Sequence, residues 1–253
     1  MKALLQQAAR LLDVQRLVVF TGAGMSKDSG LDTFRDADGV WANNAPQDYA
    51  SPEGFRRNPR KVWRWYAQRR RQMLEAEPNA GHKAIARLDA LLPHVTVITQ
   101  NIDELHQRAG SSRVLELHGS VHRYKCSKNC RGTPTLTPVP ELTQEEPLPC
   151  PNCGALTRPD VVWFGEMLPA DVWEGAVLEI AACDAVLVVG TSGLVEPAAS
   201  LLWRAKSRRK ALVEVNPEPT LISSIADVLL QGKAGETVPA LLAALKEYRT
   251  GLH

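Results

Sequence analysis

Short apolar runs that do not alternate with polar residues recur along the chain. They occupy positions 17–21 (LVVFT), 95–99 (VTVIT), 114–117 (VLEL), 185–190 (AVLVVG), 211–215 (ALVEV) and 227–230 (DVLL). Their β-branched content predicts strands, and the lack of alternation predicts burial on both faces. Between them, apolar residues fall three and four apart over 79–92, 170–182 and 238–248, the spacing of one helix face. The opening stretch MKALLQQAARLLDVQR has the same spacing and predicts a first helix.

Strands alternating with helices imply a parallel sheet covered on both sides. The expected fold class is therefore α/β, a Rossmann-like doubly wound sheet. Two segments break the rhythm. Residues 36–77 are rich in Trp, Arg and Asn, with 59–77 helical in pattern, and 123–158 are rich in Pro, Thr and Cys with no apolar period. They are expected to form one smaller module beside the sheet, with a cleft between. The expected division is 1–35, 78–122 and 159–253 for the sheet domain, and 36–77 with 123–158 for the module.

Composition narrows the function. The 253 residues are 44% hydrophobic and 23% charged, enough for one substantial domain, and the formal net charge is only +2. That balance offers no electrostatic case for nucleic acid as the main partner. No apolar run approaches the roughly 20 residues that span a bilayer. A cytoplasmic enzyme is the expectation, acting without a membrane. Of five cysteines, Cys126 and Cys130 form one close pair and Cys150 and Cys153 another. Such pairs suggest one tetrahedral metal before disulfides. Four Cys ligands leave no open position for water, so the expected role is a structural zinc ribbon. Cys183 ends an apolar helix pattern and is expected in the core.

The chemistry-bearing residues sit where strands end. LVVFT runs into Gly22, Ala23 and Gly24, whose backbone serves equally as a tight turn or as a phosphate cradle. Gln100, Asn101, Ile102 and Asp103 follow the second strand, and His118 follows the third. Gly190, Thr191 and Ser192 follow AVLVV, and Asn216 follows ALVEV. In open parallel sheets, ligands bind along this carboxyl rim. His118 is the best general-base candidate, because imidazole titrates near neutral pH. His82 and His106 lie near helix starts, and His94 and His122 in loops or at the module border.

The motifs also stand in a specific order. GAGMS with SG-x-x-x-FR, TQNID-x-LH-x-x-AG, LHGS, the paired cysteines, VVWFGE, GTSGLVEPA and VNPEPT follow one another from about Leu17 to Ala234. This order resembles the sirtuins, NAD-consuming lysine deacylases. Asp32 departs from the pattern, which usually has Pro there. The resemblance implies that Gly22, Ala23, Gly24, Gly190, Thr191 and Ser192 line the NAD phosphates and ribose. It places Asn216 and Glu218 near the adenosine ribose and Ala234 at the adenine. Phe34, Arg35 and Trp41 fall in the cofactor loop. Gln100, Asn101, Ile102 and Asp103 fall at the nicotinamide pocket, with Asn101 counted with His118 as catalytic.

The implied reaction begins with the acyl oxygen attacking the ribose carbon as nicotinamide leaves. His118 then serves as base toward a ribose hydroxyl, and O-acyl-ADP-ribose is released. Val162, Trp163, Phe164, Gly165 and Glu166 would pair as a strand with the acylated protein substrate. Tyr66 and Arg69, three apart on one helix face, match the pair of sirtuins that remove malonyl, succinyl or glutaryl groups. The expectation is a desuccinylase or demalonylase with weaker deacetylase activity, and a monomer. Three rivals remain open at this stage: an NAD-dependent mono-ADP-ribosyltransferase, a non-catalytic NAD-sensing zinc-ribbon protein, and a Rossmann dehydrogenase.

Overall fold

The computed structural model describes residues 1–33 and 45–251. In chain order the helices are α1 (Lys2–Leu12), α2 (Pro46–Tyr49), α3 (Pro52–Arg57), α4 (Pro59–Glu75), α5 (Ala80–Leu88), α6 (Leu105–Arg108), α7 (Ala170–Ala182), α8 (Ser200–Ser207) and α9 (Ala234–Thr250). The strands are β1 (Arg16–Thr21), β2 (His94–Thr99), β3 (Val114–Glu116), β4 (Gly119–Cys126), β5 (Leu136–Thr137), β6 (Thr157–Val161), β7 (Ala185–Val189), β8 (Ala211–Asn216) and β9 (Val228–Gln231).

Six strands pair in the order β3-β2-β1-β7-β8-β9, all parallel. The chain winds outward from β1 to β3, then returns to β7 beside β1 and winds the other way. Alternate residues explain the continuous apolar runs. Leu17 and Val19 pack with Leu12 of α1, Ile85 of α5 and Leu241 of α9. Val18 and Phe20 point to the other face, against Ile180 of α7 and Leu201 of α8. Each such buried aliphatic or aromatic side chain stabilises the fold by about 1.5–3 kcal/mol.

A second sheet, β5-β4-β6, is antiparallel and carries the cysteine loops. β4 and β6 belong to this small sheet alone, yet each crosses an expected domain border, at 122–123 and 158–159, and their register shifts between Ser120 and Tyr124. A third core forms where α3 and α4 meet β4 and β6, around Phe55, Val62, Tyr66, Val121, Val161 and Trp163. Asn58 caps α4 by accepting from Lys61 N, with Pro59 at the first helical position. Asn79 caps α5 in the same way. α5 stops at Leu88, short of the expected Leu92, as the chain turns before Pro93. His94 is also not in a loop. It opens β2 and contacts Glu179 at 3.1 Å. Among the described residues, no helix is long and apolar enough to cross a membrane.

Candidate active site

β1 and β7 are neighbours at the point where strand order reverses, the usual ligand crevice of a doubly wound sheet. The loops that follow them touch. Gly24 N–H donates to Gly190 O at 2.9 Å. Gly190 has φ +62°, and an added Cβ would meet Met25 N at 2.3 Å, so both conformation and space require glycine. Gln100 Nε2 donates to Thr191 Oγ1 at 2.9 Å, and Asn216 Nδ2 to Thr191 O at 3.0 Å. The rim is thus cross-linked through Thr191.

The resulting cleft holds about 760 Å³. Gly22, Ala23 and Gly24 line it together with Gly190, Thr191 and Ser192. Gln100, Asn101 and His118 also line it, as do Asn216, Glu218 and Ala234. Phe34, Arg35 and Trp41 lie outside the described residues.

A second, smaller cavity shares Ala23 and Asn101 with the cleft and adds Ile102 and Asp103. Ser26 organises it. Its hydroxyl donates to Asp103 Oδ2 at 2.7 Å and accepts from Asn101 Nδ2 at 3.1 Å. Asn101 Nδ2 also donates to Gly22 O at 3.1 Å. Burial pushes the Asp103 carboxyl above its ordinary range, opposed by the N–H of Leu105 and the Ser26 hydroxyl. Ser26 was not among the expected site residues, although it closes the GAGMS motif. Serine close to glycines is common in turns, and only the fold brings Ser26 to Asp103.

His118 sits between β3 and β4. Its Nδ1 lies 2.9 Å from Gln100 O. A carbonyl only accepts, so Nδ1 carries the proton and Nε2 is the free acceptor. Burial lowers the His118 pKa, partly offset by that hydrogen bond, so the ring is neutral at neutral pH. Gly119 sets the turn that follows. With φ +74°, it comes so close to Asp160 O that an added Cβ would lie 2.0 Å away.

Tyr66 and Arg69 part company. Tyr66 is buried and its oxygen accepts from Trp163 Nε1 at 2.9 Å. Burial raises its pKa, so the phenol keeps its proton as a donor. Arg69 is half-buried and lines the smaller cavity with Asn101, Ile102 and Asp103. Its Nη1 donates to Gln72 Oε1 at 3.1 Å. Burial lowers its pKa, opposed first by the charge of Asp32 and then by Tyr66. A guanidinium so placed remains charged.

The segment Val162–Glu166 corrects an expectation. β6 ends at Val161, and the next five residues form a turn rather than a strand. Val162 N donates to His118 O and Phe164 N to Ala50 O. The Glu166 carboxylate accepts from Trp163 N at 2.9 Å and from Arg158 Nη2 at 3.0 Å, while Gly165 adopts φ +86°. Trp163 is buried with the Arg158 guanidinium 3.1 Å above its ring, and Phe164 is half exposed. Internal bonds therefore already use most N–H groups of this segment.

The four paired cysteines converge at the end of the small sheet, with all Sγ atoms within 4.8 Å of one another. Cys126 and Cys153 are 3.6 Å apart, and Cys130 and Cys150 3.8 Å. A tetrahedron of thiolates about 2.3 Å from zinc has edges of about 3.8 Å, so the cluster fits one structural zinc ion. Cys183 is buried in the core, as expected.

A sequence profile of the Sir2 family matches residues 22–197. The chain belongs to the Sir2 family. A Sir2 relative named NAD-dependent protein deacylase 2, from Pyrobaculum aerophilum, is 49% identical over 236 residues, covering 93% of each chain. A Sir2 homologue solved in complex with NAD is 43% identical, with a TM-score of 0.87 over 98% of this chain and 94% of that one. Another Sir2 structure, Sir2Af2 bound to a myristoylated histone peptide, is 38% identical with a TM-score of 0.79, over 99% of this chain and all of that one.

Proposed function

We propose that this Sir2-family chain is an NAD-dependent protein-lysine deacylase that prefers acidic acyl groups and retains weaker deacetylase activity. The observation that carries the deacylase reading is His118. Its ring is neutral, its tautomer is fixed by Gln100 O, and it lines the cleft beside Asn101. NAD fits that cleft: Gly22–Gly24 and Gly190–Ser192 offer backbone donors, and Asn216, Glu218 and Ala234 continue the wall. Bound NAD would supply the ADP-ribose that accepts the acyl group.

Within this reading the protein's own groups have distinct tasks. His118 Nε2 takes a proton from a hydroxyl presented to it, which a neutral imidazole does best near neutral pH. Asn101 and Asp103 pair with a carboxamide, with Ser26 holding both side chains in place. Trp163 and Tyr66 fix the wall between α4 and β6. Peptide pairing at residues 162–166 uses the backbone groups that the turn leaves unbonded. Of the proposed small module, drawn from 36–77 and 123–158, Arg69, Gln72 and Met73 line the smaller cavity beside that cleft. The enzyme works in the cytoplasm, where paired thiols stay reduced for metal.

Arg69 supports the acyl preference. It presents a charged fork in the cavity next to Asn101, where a carboxylate on the acyl group gains a charge-assisted hydrogen bond. Such a bond is worth about 1.5–3 kcal/mol, or roughly tenfold to a hundredfold in selectivity. The test is mass spectrometry of matched succinyl-, acetyl- and myristoyl-lysine peptides, with and without NAD. Fastest NAD-dependent loss of succinyl is expected, with O-succinyl-ADP-ribose appearing. Arg69→Met should cut desuccinylation by that factor and leave deacetylation far less affected. Equal losses would remove the carboxylate clamp, and fastest loss of myristoyl would reassign the cavity to apolar chains.

A further inference from the structure

Arg69 shares its cavity with a second charge of the opposite sign. Asp32 lines the same cavity, exposed, directly after the buried Leu31. The other acid there, Asp103, is buried and engaged by Ser26 and the Leu105 N–H. Asp32 is therefore the accessible carboxylate of this cavity, and its charge favours the charged form of the Arg69 guanidinium without a direct ion pair between them. Arg69 is also held by Gln72 through Nη1, with the Trp65 ring centroid 5.3 Å away. One of five N–H donors is thus used by Gln72, and the fork has capacity for an incoming acceptor.

We propose that Asp32 is a specificity-determining residue, whose carboxylate competes with the acyl carboxylate for Arg69 and so limits the preference for acidic over neutral acyl groups. The proposal rests on the reading of Arg69 as the acyl-carboxylate partner. A succinyl group brings a second negative charge to a guanidinium that Asp32 already compensates, and the two carboxylates repel. An acetyl group brings no charge and leaves the Asp32–Arg69 attraction intact. Asp32 thus penalises acidic acyl groups alone and spares the enzyme an uncompensated cation when the acyl group is neutral.

The test measures kcat/KM for succinyl- and acetyl-lysine peptides, and KM for NAD, in the full-length protein. Four forms are compared: wild type, Asp32→Asn, Arg69→Met and the double variant. Asp32→Asn should raise the succinyl-to-acetyl ratio about two- to fivefold, the range of a solvent-screened charge interaction, chiefly through a lower succinyl KM. In the Arg69→Met background the same substitution should leave the ratio unchanged. If Arg69→Met lowers the ratio but Asp32→Asn does not raise it, the competition is refuted while the acyl reading stands. If Asp32→Asn changes both peptides equally along with the NAD KM, Asp32 acts on the cofactor and the proposal fails. If Arg69→Met leaves the ratio unchanged, the acyl reading fails and the proposal with it.

Discussion

The imidazole of His118 is held neutral by burial and held in one tautomer by Gln100 O. Both features matter if it takes a proton from a hydroxyl. Because its pKa is lowered from 6.5, the neutral form persists below that pH. The acid limb of kcat/KM should therefore fall at a pH under 6.5, and His118→Ala should remove the limb along with most activity. A variant that kept most activity with the same limb would assign the base elsewhere. His118 and the Asn101–Asp103 pair were legible in the sequence, because polar groups after buried strands stand out against loop composition. The Ser26 link was not, since a hydrogen bond across 77 positions has no local signature.

At the scale of elements, α4 depends on a segment far from it in sequence. Trp63 Nε1 donates to Gln144 O at 2.9 Å, Arg70 to Pro140 O at 2.7 Å and Arg71 to Leu142 O at 3.1 Å. Arg64 pairs with Glu145 at 2.6 Å, and Arg60 with Glu146. The arginines of α4 thus form in part a docking strip for the loop between the two cysteine pairs. Removing zinc with a chelator should release that loop and loosen α4, which carries Tyr66 and Arg69. Near-ultraviolet circular dichroism should weaken as the Trp63–Tyr124 contact, 5.2 Å between centroids, is lost. The far-ultraviolet signal of the main sheet should remain. An unchanged near-ultraviolet spectrum in metal-free protein would mean the clamp holds α4 without zinc. The turn at 162–166 belongs to this scale too. Its β-branched and aromatic content reads as strand, but Glu166 folds back onto Trp163 N and Arg158, partners that composition does not reveal.

Across the whole molecule, buried histidines couple stability to pH. His82 and His106 meet with ring centroids 4.8 Å apart, and neither ring nitrogen of His82 has a hydrogen-bond partner. Burial lowers His82 to about 4 and His106 well below 6.5. Between pH 6.5 and about 4 the unfolded chain binds protons at these sites that the folded chain refuses. Stability is thus full above pH 6.5 and is lost as pH falls through that window, by an amount on the order of 3 kcal/mol for His82. Asp103 and Glu116, raised by burial, act in the opposite sense, stabilising the fold at low pH until their folded pKa is passed. Comparison of Tm against pH for wild type and His82→Leu isolates the histidine. The variant should show a flatter slope between pH 6.5 and 4, and parallel curves would show that His82 carries no such linkage.

What the sequence determined by itself was what repeats locally. Strand and helix periods follow from which faces are apolar, so the doubly wound sheet and its strand ends were legible within a residue or two. The cysteine spacing likewise announced a four-thiolate cluster. Start points set by distant partners were not. α9 begins at Ala234, ahead of the apolar pattern at 238, with Gly235 N–H bound to Asp28 Oδ2 of the glycine-loop segment. The tertiary structure alone decided that Tyr66 turns to Trp163 while Arg69 lines the cavity that holds Asp32 and Asn101. Side chains three apart on a helix share a face by period, but what each one meets depends on which distant elements the sheet topology brings against that face.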